Sequence, residues 1–245
     1  MKGQVHVVIG ASGGIGSAVA RRLAEQGALL MLAARREEPL QELADELGCS
    51  WRSVDATSFD EVKSLLDAAV AEFGRLDGLL NCAGSILLKS AHLTSEDEYR
   101  ATIDTNLTSA FFAVKAGARA MMKEGGSIVL CSSAVAQTGL ANHEAIAAAK
   151  AGVVGLMRSA AATYAPRGVR VNCVAPGLVD SPMSARIVGN EAALKQSEAM
   201  HALGRIGRPE DVADPIVWLL DGERSSWVTG QVIGVDGGLG SLRPR

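Results

Sequence analysis

Short apolar runs alternate with amphipathic stretches from one end of the chain to the other. Val5–Ile9, Leu29–Ala33, Cys49–Val54, Gly78–Leu80, Ser127–Cys131, Val169–Val174 and Gln231–Val235 read as strands bounded by turn-forming or polar residues. Between them apolar residues recur at helical spacing. Ala18, Val19, Leu23 and Ala24 share one face before Gly27, and Leu40, Leu43, Ala44 and Leu47 share another before Gly48. Ser58 with Glu61 forms a capping box that opens a helix through Phe73. A long helix, bent or straight, is expected from about Ser95 to Lys123 with Asn106 inside it, and Gly125 and Gly126 break it. An alanine-rich helix is expected from about Asn142 to Ala165, and another from Pro209 to Leu220 with proline in its first turn and acids close behind. Residues 178–208 have Gly and Pro at both ends and read as a mobile helical excursion.

Most of the strand segments are continuously apolar rather than alternating, the pattern of a parallel sheet covered on both faces. The expected fold is therefore α/β, a doubly wound parallel sheet of about seven strands with helices on both faces. In such sheets ligands bind at the carboxyl ends of the strands, near the point where strand order reverses.

Length and charge narrow this further. At 245 residues, with no linker, repeat or low-complexity run, the chain reads as a single domain over 1–245. A net charge of −3 with both signs interspersed gives no nucleic-acid or anionic-membrane surface. Cys49, Cys82, Cys131 and Cys173 are scattered and, with the histidines, show no metal-ligand spacing, so reduced core thiols and no metal are expected. Met1 and Lys2 lead straight into a strand, and no apolar run approaches a membrane span, so a cytoplasmic location is expected.

The first strand runs into Gly10-Ala-Ser-Gly-Gly-Ile-Gly16 and then into a helix. Strand, glycine-rich turn and helix in succession form a dinucleotide-binding signal. The glycines allow backbone to approach a pyrophosphate, and the helix N-terminus faces its charge. The second strand should end near the adenosine ribose, where an acid would bind the 2′-hydroxyl and repel a 2′-phosphate. This chain offers Arg35 and Arg36 there, and a guanidinium matches a phosphate bidentately. NADP(H) is thus the expected cofactor, with NAD(H) possible. Further on, the strand ending at Cys131 delivers Ser132 and Ser133, and Lys150 lies on the next helix, a hydroxyl and an amine over the sheet.

Gly10–Gly16, Asp55, Asn81-Cys-Ala-Gly84, Asn106, Ser133, Lys150, Pro176-Gly177 and Val235-Asp-Gly-Gly238, in that order, resemble the short-chain dehydrogenases/reductases. The branch containing 3-oxoacyl-(acyl-carrier-protein) reductases is the most similar, and the resemblance spans nearly the whole chain. It implies a Rossmann fold and a role for each matched residue. Gly10, Ser12, Gly14, Ile15 and Gly16 would hold the pyrophosphate and adenosine side. Arg35 would take the 2′-phosphate, Asp55 and Ala56 would flank the adenine, and Asn81, Ala83 and Gly84 would line the cofactor path. Pro176, Gly177, Val179 and Ser181 would hold the nicotinamide end. Ser133 would polarise a substrate carbonyl, Lys150 would hold the nicotinamide ribose, and Asn106 would anchor a proton relay.

One departure is large. The family signature is Tyr-x-x-x-Lys, whose tyrosine gives a proton to the substrate oxygen, and four residues before Lys150 this chain has Ile146. Ser133 stands thirteen residues before position 146, as the family pattern requires, so the register has not slipped. Tyr164, fourteen residues after Lys150, lies towards the far end of the helix. His143, seven before Lys150, would share its helix face, because seven residues turn a helix by about 700° over roughly 10 Å. In the enoyl-reductase branch of the family the active tyrosine occupies that spacing, and an imidazole is a competent general acid. The alternative is a capping or surface histidine.

Two functions follow. One is an NADP(H)-dependent reductase of a 3-oxoacyl or other ketone, acting on a small carbonyl or alcohol substrate with His143, Lys150 or water as proton donor. The other is a catalytically silent nucleotide-binding subunit that stabilises or regulates an active homologue. Leu87, Leu88, Ala136, Met183, Ile187 and Met200 are candidates for an apolar substrate pocket, which residues 178–208 would cover. Small residues along the alanine-rich helix, with the habit of the family, suggest a homo-oligomer, a tetramer or dimer.

Overall fold

A computed structural model describes residues 1–243. Seven strands, β1 (Val5–Ile9), β2 (Leu29–Ala34), β3 (Ser50–Ser53), β4 (Gly78–Asn81), β5 (Gly126–Cys131), β6 (Val169–Pro176) and β7 (Val232–Val235), form one sheet in the order β3-β2-β1-β4-β5-β6-β7. Every pairing is parallel. The order reverses between β1 and β4, and the register places Ile9 beside Asn81, Asn81 beside Leu130, and Cys131 beside Val174. The carboxyl ends of the central strands therefore finish level, as a floor for a ligand. The expected doubly wound α/β fold is the observed one.

Helices cover both faces because both faces of each central strand are apolar. On one side α1 (Gly14–Glu25), α2 (Glu37–Leu47) and α9 (Pro209–Leu220) bury Val19, Leu23, Leu40, Leu43, Ile216 and Leu219 against Val8, Leu32, Leu80 and Val129. On the other, α3 (Phe59–Phe73), α5 (Ser109–Met121) and α6 (Glu144–Tyr164) bury Val62, Leu65, Ala113, Met121, Val153 and Met157 against Val7, Leu79, Ile128 and Val171. Each large aliphatic side chain removed from water in these layers contributes about 1.5–3 kcal/mol.

Three local features differ from the sequence reading, and a fourth, the helical excursion, agrees with it. The long middle helix is divided: α4 (Glu96–Ile103), capped by the Ser95–Glu98 box, passes through a π-helical turn at Asp104–Thr108 before α5. The turn contains Asn106, which is 2% exposed. α6 starts at Glu144 rather than Asn142, because Asn142 adopts a left-handed φ of 62° that a helix cannot include. With its following turn α6 spans Glu144–Arg167, which is long and apolar enough to cross a membrane, contrary to the expectation that no run approaches that length. Here that helix is a core element, with Val153, Met157, Ala160 and Ala161 packed in the apolar layer beside β6. Residues 178–208 fold as α7 (Ala185–Val188) and α8 (Glu191–Met200), joined to the body where Val179 bridges Gly207.

At the opposite, amino end of the sheet, His6 is wholly buried and neither ring nitrogen has a hydrogen-bond partner. Burial lowers its pKa to about 4. Gly78 on the neighbouring strand makes room for the ring, since a Cβ there would lie 2.1 Å from Nδ1.

Candidate active site

The glycine loop is built by close approach. Gly10 has φ 87°, and a Cβ on it would sit 2.8 Å from the amide nitrogen of Ala83 at the end of β4. A Cβ on Gly16 would be 2.3 Å from the carbonyl oxygen of Gly10, so only glycine lets α1 start this near the strand end. Gly14 is packed against Ser181, whose Cβ would be 2.9 Å away. No side chain caps α1, and no acid occupies its first turn. Its first N–H groups and the positive end of its dipole thus face the loop, a fit for an anion such as a pyrophosphate.

A cavity of about 290 Å³ extends from this loop over the end of β2. It is lined by Gly10, Ser12, Arg35, Arg36, Asp55, Ala56, Ala83 and Gly84, and so unites most of the residues assigned to the adenosine side. Arg36 donates through Nη2 to the Ser12 carbonyl at 2.9 Å, bridging β2 to the glycine loop. Arg35 is exposed and its guanidinium has no hydrogen-bond partner among the described residues. Asp55 accepts from the Thr57 amide at 2.9 Å and hydroxyl at 2.8 Å, and these bonds hold its carboxyl below the usual range. Gly14, Ile15 and Gly16 do not line this cavity. Gly14 and Gly16 shape the loop, and Ile15 belongs to the next cavity along.

That next cavity, about 150 Å³, lies over the ends of β4, β5 and β6 and brings together Ile15, Gly84, Asn106, Ser133, Ile146, Lys150, Pro176, Gly177, Val179 and Ser181. Segments as far apart in sequence as Ile15 and Ser181 meet here because the sheet order reverses beside them. Asn81, 3% exposed, is tied by the Ala83 amide to its Oδ1 at 3.1 Å and sets the course of the chain towards Gly84. Asn106 accepts from the Ser85 amide at 3.1 Å and donates to the Ser85 hydroxyl at 3.0 Å and the Thr102 carbonyl at 2.9 Å. Its side chain is thus occupied in fixing the loop after Gly84 to the π-helical turn.

Lys150 is 8% exposed and donates to the Cys131 carbonyl at 2.9 Å, while the Ser132 hydroxyl donates to the backbone carbonyl of Lys150 at 2.9 Å. These two bonds dock α6 on the end of β5. Burial lowers the pKa of the Lys150 ammonium. Burial also pushes the Cys131 thiol up to about 11 and the Cys82 thiol upward, so both stay protonated. The Ser133 hydroxyl has only long contacts, 3.4 Å to the Pro176 carbonyl and 3.4 Å from the Val135 amide, and is free to turn towards a ligand.

Ser133 and Ile146 also line a third cavity, about 430 Å³, under α8. His143, Leu88, Ile187 and Met200 lie in its wall, whereas Leu87 and Ala136 line none of the three and Met183 lies by the cofactor cavities instead. His143 is the residue before α6, with φ −118° and ψ 12°, so helical spacing does not bring it over Lys150. Its Nδ1 lies 2.7 Å from the Ala141 carbonyl, and it lines the outer cavity but not the one holding Lys150. Ile146 is 5% exposed at the partition between the two. His201, which sequence reasoning passed over, is 3% exposed in the wall of the outer cavity. No sequence spacing marks it; only the return of α8 onto the sheet does. Among the described residues no cluster of metal-binding side chains is present.

Known proteins resemble this chain in sequence and fold. Residues 10–240 match the family model described as enoyl-(acyl carrier protein) reductase. A cis-4-hydroxycyclohexanecarboxylate dehydrogenase from Sinomonas cyclohexanicum is 40% identical over 96% of each chain. The chain belongs to the short-chain dehydrogenase/reductase family. A 3-oxoacyl-(acyl-carrier-protein) reductase from Thermotoga maritima is 37% identical over 98% of each chain. A short-chain type dehydrogenase/reductase from Mycobacterium ulcerans superposes with a TM-score of 0.94 at 32% identity, covering 100% of this chain and 92% of that one. As a short-chain dehydrogenase/reductase, the protein is an oxidoreductase of the carbonyl–alcohol class built for a nicotinamide cofactor.

Proposed function

We propose that the protein reduces a ketone to an alcohol with NADP(H), using a proton donor other than the family tyrosine. The observation that supports this best is the placement of Ser133. Its loosely held hydroxyl lies on the wall shared by the inner cavity, which contains Lys150, and the outer apolar cavity under α8. The Gly10 loop and the uncapped start of α1 would hold the pyrophosphate, and Arg35 with Arg36 would face the 2′-phosphate. Pro176, Gly177, Val179 and Ser181 would contain the nicotinamide end, with Ile15 beside them. NADP(H), when bound, supplies the hydride.

The chain's own part in the chemistry is to hold the carbonyl and give a proton. Ser133 donates a hydrogen bond to the carbonyl oxygen, which favours negative charge there. Lys150, its ammonium pKa lowered by burial, would hold the cofactor ribose and brings an amine into the lining of the inner cavity. His143 stands on the outer side of Ser133, where its imidazole can serve an oxygen reaching into the larger cavity. Ile146 has no proton to give, and it adds an apolar side chain to the wall of both cavities.

A ketone and 3-oxoacyl panel with NADPH and NADH tests this reading. Turnover with NADPH is expected, falling about 10²- to 10³-fold in Ser133→Ala with cofactor affinity retained. If His143→Ala turns over unchanged, Lys150 or water is the donor. The second reading, a silent NADP(H)-binding partner of an active homologue, is favoured by Ile146 at the donor position. Tight NADPH binding, no turnover across the panel and co-purification of that homologue would establish it.

A further inference from the structure

We propose that His201 is a positioning residue, a strut that holds the lid helix α8 against the turn forming the inner wall of the substrate cavity. This rests on the reductase reading. His201 ends α8 and is 3% exposed. Its Nδ1 lies 2.6 Å from the Ser197 carbonyl within its own helix. Its Nε2 lies 3.2 Å from the Leu178 backbone nitrogen, across the cavity wall. An N–H of Leu178 can be met only by an acceptor, so Nε2 is unprotonated and Nδ1–H donates to Ser197. The partners on both sides thus select one tautomer of a neutral ring.

The ring also sets spacing. A Cβ on Gly177 would be 2.5 Å from Nε2, and one on Gly237 would be 3.4 Å from the ring. The imidazole is therefore wedged between α8, the turn after β6 and the turn after β7. Gly177 and Leu178 line both the inner cavity and the outer one, so whatever fixes Leu178 fixes the wall between cofactor and substrate. The outer root of the lid has its own tie, in which the Gly207 amide donates to Leu178 at 2.8 Å and the Asp180 amide to Gly207 at 2.9 Å. That tie closes the loop 178–207 at its outer root, and at the α8 end the Leu203 amide donates to the Gly237 carbonyl at 3.0 Å. His201 adds the one side-chain bond from the end of α8 to Leu178 in the cavity wall.

Removing the strut unpairs a part-buried Leu178 N–H and lets α8 lift, which lowers the fraction of molecules ready to bind substrate. The glycine loop and the adenosine cavity do not touch it. Hydrogen exchange of NADPH-saturated protein, NADPH affinity and steady-state kinetics should be compared for His201→Leu, His201→Asn and His201→Gln. Leu keeps volume without an acceptor, Asn is too short to span both partners, and Gln can accept from Leu178 and donate to Ser197. In the Leu and Asn variants, exchange over residues 191–203 should rise about tenfold or more, and KM should rise about tenfold with kcat changed less than about threefold. NADPH affinity should stay within about twofold, and Gln should restore most of both losses. Should His201→Leu fail to fold, His201→Asn against His201→Gln gives the same contrast. Unchanged lid exchange in the Leu or Asn variant, or a Gln variant as impaired as Asn, would overturn the proposal. A wild-type protein that turns over no carbonyl removes the reductase reading alone, because exchange still decides the strut.

Discussion

The two ends of the cleft differ in what they are made of. The adenosine end is mostly backbone: glycines that admit close approach, the free N–H groups opening α1, and two arginines at the end of β2. The inner end, to which the proposed function assigns the nicotinamide, is lined by side chains, with Ser133, Lys150 and Asn106 sharing its cavity with Ile146. A backbone site fails only if the fold fails. A side-chain site can lose its reagent while every strand and helix stays in place, because isoleucine packs at a buried helix position as readily as a ring does. Ile146 is 5% exposed, buried at its place in α6. The proposed function thus makes binding and chemistry separable.

The largest expected effect tests that separation directly. Ile146→Tyr should raise kcat for ketone reduction by about 10²- to 10⁴-fold, the usual worth of a placed general acid, with NADPH affinity unchanged. A gain of less than about threefold in the stopped-flow or steady-state rate would mean that the present donor is already fully effective.

Acid should act on the scaffold rather than on either end of the cleft. His6 has its folded pKa lowered from 6.5 to about 4, so between these values the unfolded chain binds the proton and the folded one does not. Stability is whole above pH 6.5, falls by about 3 kcal/mol as pH drops towards 4, and this contribution levels off below that. Urea melts of the wild type and His6→Gln from pH 7 to pH 4 should show the slope in the former and its loss in the latter. Asp211, held down to about 2 chiefly by its bond with Arg205, titrates below this window.

A smaller effect separates the two arginines. Arg35→Ala should weaken NADPH about tenfold and leave NADH unchanged, since a free guanidinium loses only its phosphate. Arg36→Ala should weaken both cofactors, because its bond to the Ser12 carbonyl also shapes the loop. Titration by fluorescence with each cofactor checks the pair. Equal loss of both cofactors in Arg35→Ala would remove the basis for NADP(H) preference.

Much of this was legible in the sequence, for local reasons. Continuous apolar runs and helical spacing are set by neighbours in the chain, and they placed all seven strands and the glycine turn. The exceptions show where locality ends. Asn106 reads as a residue inside a long helix, but the helix gives way to a π-helical turn there, where its amide ties Ser85 and Thr102 together. His143 reads as sharing a helix face with Lys150, but the left-handed Asn142 delays the helix until after it. Ile15 reads as part of the phosphate loop, yet it points its bulk to the nicotinamide cavity.

The sequence by itself determined the layered α/β architecture, the nucleotide-binding loop, the arginines that face it and the absence of tyrosine at position 146. Each is a matter of residue type and spacing along one strand–turn–helix unit. Tertiary structure alone decided that Ser133, Lys150, Asn106 and Pro176 share one cavity, that His143 stands outside it, and that His201 braces the lid. Those relations join segments whose distance in space depends on strand order and on the return of α8 over the sheet, and no local spacing encodes either.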